Sequence, residues 1–396
     1  MMKNNWKKVK LGDFAEINPK ISLKKNEDYS FIPMEDVSSN KVRYVISSKN
    51  KKYTGGGAKF KNGDTLFARI TPCLQNGKIS QVKNLKTEFG FGSTEFIVFG
   101  NRENISDPSF VYYLAISDVV KKPAEKSMSG ATGRQRAEHK VIQNFETTVP
   151  DLPTQKKIAG ILSGYDDLIE NNNRRIKILE EMAQAVYKQW FVDFKFPGYE
   201  KVKMIDSSAG EAGGELGLMP EGWNYVSFAE IFDIKYGNTL PKTKIKNDGT
   251  YPVYGAGGII GYYDEYNSDE RISLVTCRGN GSGKVSRTRE IAFVTNNSFL
   301  IKAKGKYAKI GFSFVFLNLL NSELATCISG SAQPQITIEG INTIKTLVPD
   351  LNIANSFEKI IVNIFNDVDI LYVKSNNLRQ TRDLLLPKLM NGEMEI

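Results

Sequence analysis

Histidine is almost missing from this chain of 396 residues: His139 is the only one. A histidine-built metal centre is therefore excluded, and imidazole acid–base chemistry would rest on that single ring. Cysteine is nearly as scarce. Cys73, Cys277 and Cys327 are odd in number and far apart, so they frame neither a disulfide scaffold nor a zinc site. No apolar run reaches the ~18 residues of a membrane helix, and the segment from Met1 to Trp6 lacks the apolar core of a secretory signal. The expectation is a cytoplasmic protein with no membrane partner. Acid is also in short supply: the net charge is +9 and the pI about 9.1, which points to a polyanionic partner. The length is a prior for two or three domains, and 41% hydrophobic with 24% charged residues is ordinary for a soluble globular chain.

Catalytic patterns are missing as well. Arg278-Gly279-Asn280-Gly281-Ser282-Gly283-Lys284-Val285 imitates a phosphate-binding loop, but that pattern needs Gly at 278 and Ser or Thr at 285. Phe89-Gly90-Phe91-Gly92 and Asp107-Pro108-Ser109-Phe110 only faintly resemble a cofactor loop and a methyltransferase motif, and they lie too close together for a doubly wound domain. They read as turns. His139 beside Glu138 has no nucleophile at a recognisable spacing and reads as a surface residue. No paired acids, metal cluster or activated nucleophile emerges. The chain reads as a non-enzyme.

What is present is a long helical pattern, twice. After Val149-Pro150-Asp151-Leu152, apolar residues recur at Ile158, Ile161, Tyr165, Leu168, Ile176, Leu179, Ala183, Val186 and Trp190, broken by Asn172. Steps of three and four make the narrow seam of a coiled coil. Pro153 and Thr154 suit a helix start, and Pro197-Gly198 a stop. After Val348-Pro349-Asp350-Leu351 the pattern returns at Phe357, Ile361, Ile364, Val368, Leu371, Leu378, Leu385 and Leu389, with Pro387 expected to bend or end it. Asn172 and Ser375 place polar residues in the seams, as register pins.

The rest of the chain repeats too. The string from Trp6 to Ile17 aligns without a gap on Trp223 to Ile234, and Ser129-Gly130-Ala131 with Gln135 is echoed by Ser329-Gly330-Ser331 with Gln335. The plan is a globular part followed by a long helix, executed twice, with a small, polar, Gly-rich connector around 201–217. Two helices with one seam each bury those seams most simply against each other, antiparallel. About 40 helical residues at ~1.5 Å give a rod of roughly 60 Å, with a head at each end.

Each head reads as α+β. Short β-rich runs are expected at Thr65 to Ile70, Lys78 to Val82 and Thr94 to Phe99, and at Arg271 to Cys277, Lys284 to Arg287 and Ser298 to Ile301. Short helices are expected at Pro108 to Val120 and Ile310 to Leu320. Three loop classes rich in Gly, Lys and Arg occur in both heads. They suggest peptide N–H groups close to a phosphate backbone, cations that neutralise it, and Arg, Gln or Asn that read bases. The candidate contacts are Lys59, Arg69, Gln75, Asn76, Lys78, Arg134, Gln135 and Arg136 in the first head. In the second they are Tyr254, Arg278, Asn280, Ser282, Lys284, Gln333 and Gln335. The outer helix face, with Lys177, Glu180, Glu181, Gln184 and Lys188, is left for a partner.

Four strings carry a family resemblance: Phe89 to Phe96, Leu218-Met219-Pro220-Glu221-Gly222-Trp223, Tyr251 to Tyr262, and Leu384-Leu385-Leu386-Pro387-Lys388-Leu389-Met390-Asn391-Gly392-Glu393. Over essentially the whole length the chain resembles the DNA-specificity (S) subunits of type I restriction-modification systems. The resemblance implies target recognition domains at 1–148 and 223–347, spacer helices at 149–196 and 348–396, and a linker at 197–222. The implied fold is two mixed α/β recognition domains separated by two long antiparallel helices in an intramolecular coiled coil, an internal repeat with pseudo-two-fold symmetry. It also implies double-stranded DNA, two methyltransferase subunits and restriction/translocase subunits as partners. S-adenosylmethionine would sit in the methyltransferases, with no cofactor in this chain. The residues alone leave two rivals open: a coiled-coil scaffold carrying two peptide-binding modules, and an enzyme with an unrecognised site.

Overall fold

The structure, a computed structural model, describes residues 6–39, 42–131, 133–206, 218–330, 333–394 and 396. The chain forms two compact units, Met1–Arg174 with Tyr372–Ile396, and Arg175–Leu371. Each unit therefore holds one head, part of the first long helix and part of the second.

In unit 1 the strand Trp6–Lys10 pairs antiparallel with Glu146–Pro150, Trp6 opposite Pro150. The repeated Trp string and the repeated Val-Pro-Asp-Leu string are thus the two sides of one ladder, which closes the head where the long helix begins. Inside lies a five-stranded sheet in the order Ala15–Ile17, Phe96–Asn101, Thr65–Ala68, Ile79–Val82, Tyr44–Val45. The three central strands are buried along nearly their whole length, without alternation. The reason is cover on both faces. Phe67, Ile97 and Phe99 pack with Phe110 and Leu114 of the helix Pro108–Ile116, while Leu66, Val98 and Phe96 pack with Ile32 and Phe60 of a second sheet. Asp107 caps that helix by accepting from the Ser109 and Phe110 N–H groups at 2.9 and 3.0 Å, and Pro108 pre-sets its first turn. A second helix, Asp118–Lys126, follows where the sequence suggested one continuous element.

The second sheet runs Lys49–Lys52, Asp28–Ile32, Phe89–Gly92, Ala58–Lys61. Phe89–Gly92 is an inner strand here, not the turn the glycines suggested. Its Phe-Gly alternation is a period of two: a Cβ on Gly90 would come within 2.6 Å of the Phe60 ring, and one on Gly92 would strike the Ile32 carbonyl oxygen. Glycine makes room for a ring and a neighbouring strand.

Unit 2 repeats this plan. Asn224–Ser227 pairs with Lys345–Val348, and a sheet runs Phe232–Tyr236, Ser298–Ala303, Ser273–Thr276, Val285–Arg287. A smaller sheet runs Gly258–Tyr263, Tyr251–Gly255, Phe293–Val294. The helix Phe312–Leu320 covers the first sheet in place of Pro108–Ile116. The ends of the linker are tied: Met204–Asp206 pairs antiparallel with Leu218–Pro220. The connector residues 207–217, and Thr132, Ser331 and Ala332 of the loops, lie outside the described residues.

The long helices are Leu152–Tyr187, extended by a π turn at Lys188–Val192, and Leu351–Met390. Their seams differ from the expectation at two positions. Ile161 and Leu168 are 37% and 56% exposed, whereas Leu162 and Ile169 are buried. With those replacements the steps run 158, 162, 165, 169, 172, 176, 179, 183, 186, 190, a regular heptad in which Asn172 is a member rather than an interruption. Pro387 does not end the second helix, which continues to Met390. Its seam contains two fully buried polar residues, Ser375 and Arg382. Arg382 occupies the seam position between Leu378 and Leu385.

Arg382 explains the pairing in unit 1. Its guanidinium is ion-paired with Asp166 of the first helix, both side chains under 5% exposed. Tyr113 of the head donates its hydroxyl to the same carboxylate at 2.6 Å. Farther along, Arg379 donates to Asn173 at 3.3 Å. Contacts that rise along one helix fall along the other, so the helices pair antiparallel. Leu386, Leu389 and Met390 complete the core of the first head beside Ile158 and Leu162. In unit 2, Tyr187, Trp190 and Phe191 pack on Phe357, with Phe191 also against Phe314 and Trp223. There Asp369 of the second helix meets Arg271 and Arg287 of the head at 2.8 and 2.7 Å.

Two outcomes are expected. Breaking the buried pair by Arg382→Ala should cost about 3–5 kcal/mol, whereas Asp166→Leu with Arg382→Met should cost much less, because the charge it leaves without Arg382, on Asp383, is a third exposed to water. Denaturant unfolding of both variants checks this, and equal losses would contradict it. Asp64 is fully buried, and burial pushes its carboxyl up to about 7. The folded state then holds that proton more tightly than the unfolded chain. Wild-type stability relative to Asp64→Asn should therefore fall as pH rises from about 4 to about 7, by up to about 1.4 kcal/mol per pH unit. A difference that is flat with pH would contradict it.

Candidate nucleic-acid interface

In each head, hydrogen bonds join separate Gly-rich loops into one tip. In the first head the strand Thr65–Ala68 runs out into the loop from Arg69 to Lys78, and the segment from Ser129 to Arg136 folds back onto it. Ala137 N–H donates to the Arg69 carbonyl at 2.8 Å, Thr71 N–H to the Gln135 carbonyl at 3.0 Å, and Gln135 N–H to the Thr71 hydroxyl at 3.0 Å. In the second head Ile336 N–H donates to the Cys277 carbonyl and Gly279 N–H to the Pro334 carbonyl, both at 2.9 Å. The third loop joins through the Thr276 hydroxyl, which donates to the Ala256 carbonyl at 3.1 Å. Positive-φ glycines, among them Gly130, Gly279 and Gly330, shape these turns.

The tips present some candidate residues and use others internally. Gln75, Asn76, Arg134, Arg278, Asn280, Lys284, Gln333 and Gln335 are exposed. Arg278 lies 5.7 Å from the centroid of the Tyr236 ring, which steadies its guanidinium. Arg136 instead forms a two-pronged ion pair with Glu95, its shortest contact 2.7 Å. Lys78 Nζ donates to the Met34 carbonyl at 3.0 Å. The Ser282 hydroxyl donates to the Gly279 and Pro334 carbonyls, both at 2.8 Å. These three hold the tips in shape. Tyr254 is placed differently from the expectation: it is 3% exposed, packed with Ile272, Leu274 and Val294, and its hydroxyl accepts from the Arg289 N–H. Tyr251–Gly255 is the central strand of its sheet and is buried from Pro252 to Gly255, which places Tyr254 in the core.

Lys59, on the strand Ala58–Lys61, and Arg69, just past the strand Thr65–Ala68, come together. Both line a concavity of about 630 Å³ in the first head, with Lys20, Gly57, Thr94 and His139 also in its wall. Arg69 Nε is buried there without a hydrogen-bond partner among the described residues. Lys20 and His139 were not anticipated in this wall. No local pattern marks Lys20, and a lone histidine at the start of a short helix gives no signal until the fold brings it beside Arg69.

Charge is distributed to match. Residues 1–148 hold 25 Lys and Arg against 15 Asp and Glu, and residues 223–347 hold 14 against 10. Residues 149–222 and 348–396 are both net acidic, at 9 against 12 and 5 against 7. The surplus cation thus belongs to the heads. On the first helix Lys177, Glu180, Glu181, Gln184 and Lys188 are all exposed, with Ile178 and Met182 exposed among them at 48% and 50%. Among the described residues no helix is long and apolar enough to cross a membrane.

Known proteins share this arrangement. The chain is 24% identical to the HindI specificity subunit of a type I restriction enzyme from Haemophilus influenzae, over 99% of this chain and 100% of that protein. It is 23% identical to the MjaIX specificity subunit of Methanocaldococcus jannaschii, over 99% and 94%. The crystal structure of a type I restriction-modification S subunit from M. genitalium superposes with a TM-score of 0.54 at 18% identity, covering 98% of this chain and 97% of that one, and so shares its fold. The family described as type I restriction modification DNA specificity domain matches twice, at residues 3–181 and 220–381, once for each copy of the internal repeat. Two copies of one head, each followed by a long helix, make this chain a member of the type I restriction-modification DNA-specificity family, whose subunits recognise and do not catalyse.

Proposed function

We propose that this chain reads a split, asymmetric sequence in double-stranded DNA, one half with each head. The observation that carries this is the tip: the same hydrogen-bonded loop pair is built in both heads, but with different side chains at its surface. The first presents Gln75, Asn76 and Arg134, and the second Arg278, Asn280, Gln333 and Gln335. Equivalent scaffolds with unequal donors and acceptors suit two different half-sequences. Lys59, Arg69 and Lys284 neutralise phosphates beside them. Arg136, Lys78 and Ser282 act through the loop shapes that they fix.

The helices serve as spacer and docking post. The exposed face with Lys177, Glu180, Glu181, Gln184 and Lys188 mixes both charges with Ile178 and Met182, a composition suited to a protein partner rather than to DNA. Two adenine methyltransferase subunits dock on these faces, carry S-adenosylmethionine and perform the methylation. Restriction/translocase subunits complete the complex, which works in the cytoplasm. This chain holds no cofactor and contributes recognition.

Exchanging residues 1–148 for the first head of another family member should change one half of the recognised sequence and leave the other intact. Sequencing the methylated sites made with the methyltransferase partner reads this directly. A change in both halves would overturn independent reading. Absence of any salt-sensitive DNA affinity, with or without that partner, would instead favour a protein-binding scaffold.

A further inference from the structure

The second sheet of the first head carries a patterned face outside the loop tip. Its register sets Lys49 opposite Phe31, Phe31 beside Phe91, and Phe91 opposite Lys59. One step along, Lys51 lies opposite Tyr29 and Lys61 opposite Phe89. Paired residues in a ladder project to the same side. Aromatic rings therefore fill the middle of this face, and lysines occupy both of its edges. The middle is closed over: Leu23, Tyr53 and Phe91 are buried, with Ile21, Tyr29, Phe31 and Phe89 packed around them. It is a small core rather than a platform for stacking bases.

The edges differ from the middle. All four residues of Lys49–Lys52 are exposed. The ammonium groups of Lys49 and Lys51 sit 5.7 and 4.7 Å from the centroid of Phe31. Each stem thus lies along apolar surface while its charge stays in water. Two cations two residues apart on a strand stand about 6.8 Å from each other and point the same way.

The second head has the same strand with other chemistry. In both heads an antiparallel edge strand flanks a strand that pairs in parallel with a third. By that topology Gly258–Tyr263 corresponds to Lys49–Lys52. It carries no charge and is followed by Asp264 and Glu265. Lysine on an edge strand also blocks edge-to-edge aggregation. In the second head that edge is covered at Tyr262 by Lys246, which exchanges two backbone hydrogen bonds with it at 2.9 Å and spends its charge on Asp264. Lys49 and Lys51 form no ion pair among the described residues, so their charge stays available to a partner.

We infer that Lys49 and Lys51 form a clamp on the phosphate backbone of duplex DNA, beyond the bases read by the loop tip, and that only the first head possesses it. The inference rests on the DNA-reading function proposed above. The clamp adds sequence-independent, salt-sensitive affinity at one end of the site, so the two heads hold DNA unequally.

The test uses the full chain and a short mixed-sequence duplex, with affinity measured across a salt series by fluorescence anisotropy. Each phosphate contact contributes close to 0.9 to the slope of log affinity against log salt, so K49Q/K51Q should lower that slope by about 2. K49R/K51R should retain the slope. K156Q/K157Q, which removes equal charge from exposed positions on the first long helix, should leave it unchanged. Thermal unfolding of K49Q/K51Q should match the wild type. A wild-type slope in K49Q/K51Q, or an equal reduction in K156Q/K157Q, would overturn the clamp while leaving DNA reading in place. A wild-type chain without salt-sensitive affinity would instead remove the DNA reading itself.

Discussion

A carboxylate removed from water must be met by a cation and by hydrogen-bond donors, and this constraint ties each compact unit of the chain together. In the first unit Asp166 is that carboxylate. It takes the buried guanidinium of Arg382 from the far end of the sequence and the hydroxyl of Tyr113 from the head. One acid thereby links the two long helices to each other and to the recognition domain. In the second unit Asp369 does comparable work, joining the second helix to Arg271 and Arg287 of the head. Such pairs add little net stability over a well-packed apolar substitute, but they tolerate no slippage, because a shifted register leaves a charge unpaired. Their value in a chain with two heads is positional.

The internal repeat was the most legible part of the chain, since it needs only self-comparison. Its physical meaning was not. The Trp6 and Val149 strings look like independent landmarks until the strands that contain them pair. The helices were readable as helices, but the seam was misassigned at Ile161 and Leu168. Neighbouring apolar residues, Ile161-Leu162 and Leu168-Ile169, give a pattern search two choices at each position, and in both pairs the second is the buried one. Arg382 escaped because a charged residue at a seam position reads as a gap until its partner, more than 200 residues away, is known. Phe89–Gly92 was misread because glycine was weighed as a turn former; its actual role is to leave space beneath Phe60.

The loop tips were legible as composition and not as geometry. Gly, Lys, Arg, Gln and Asn marked segments that hydrogen bonds join into one tip in each head, with Gln75, Asn76, Arg134, Arg278 and Asn280 exposed on it. Which side chains were spent on holding the loops together depended on partners such as Glu95 and Pro334, which no spacing connects to them. Tyr254 shows the same limit from the other side. An aromatic ring beside a Gly-rich loop suggested a contact, yet its central strand is buried from Pro252 to Gly255 and takes the ring inside.

The heads share a scaffold and differ in what they expose, and the central claim is that each reads its own half of one DNA site. Mapping methylated adenines at base resolution in DNA treated with this chain and its methyltransferase partner tests that claim most directly. The account predicts a single motif of two unlike half-sequences separated by an unspecified spacer, with an adenine modified in each half. A continuous motif, or a motif whose halves are copies of each other, would contradict it.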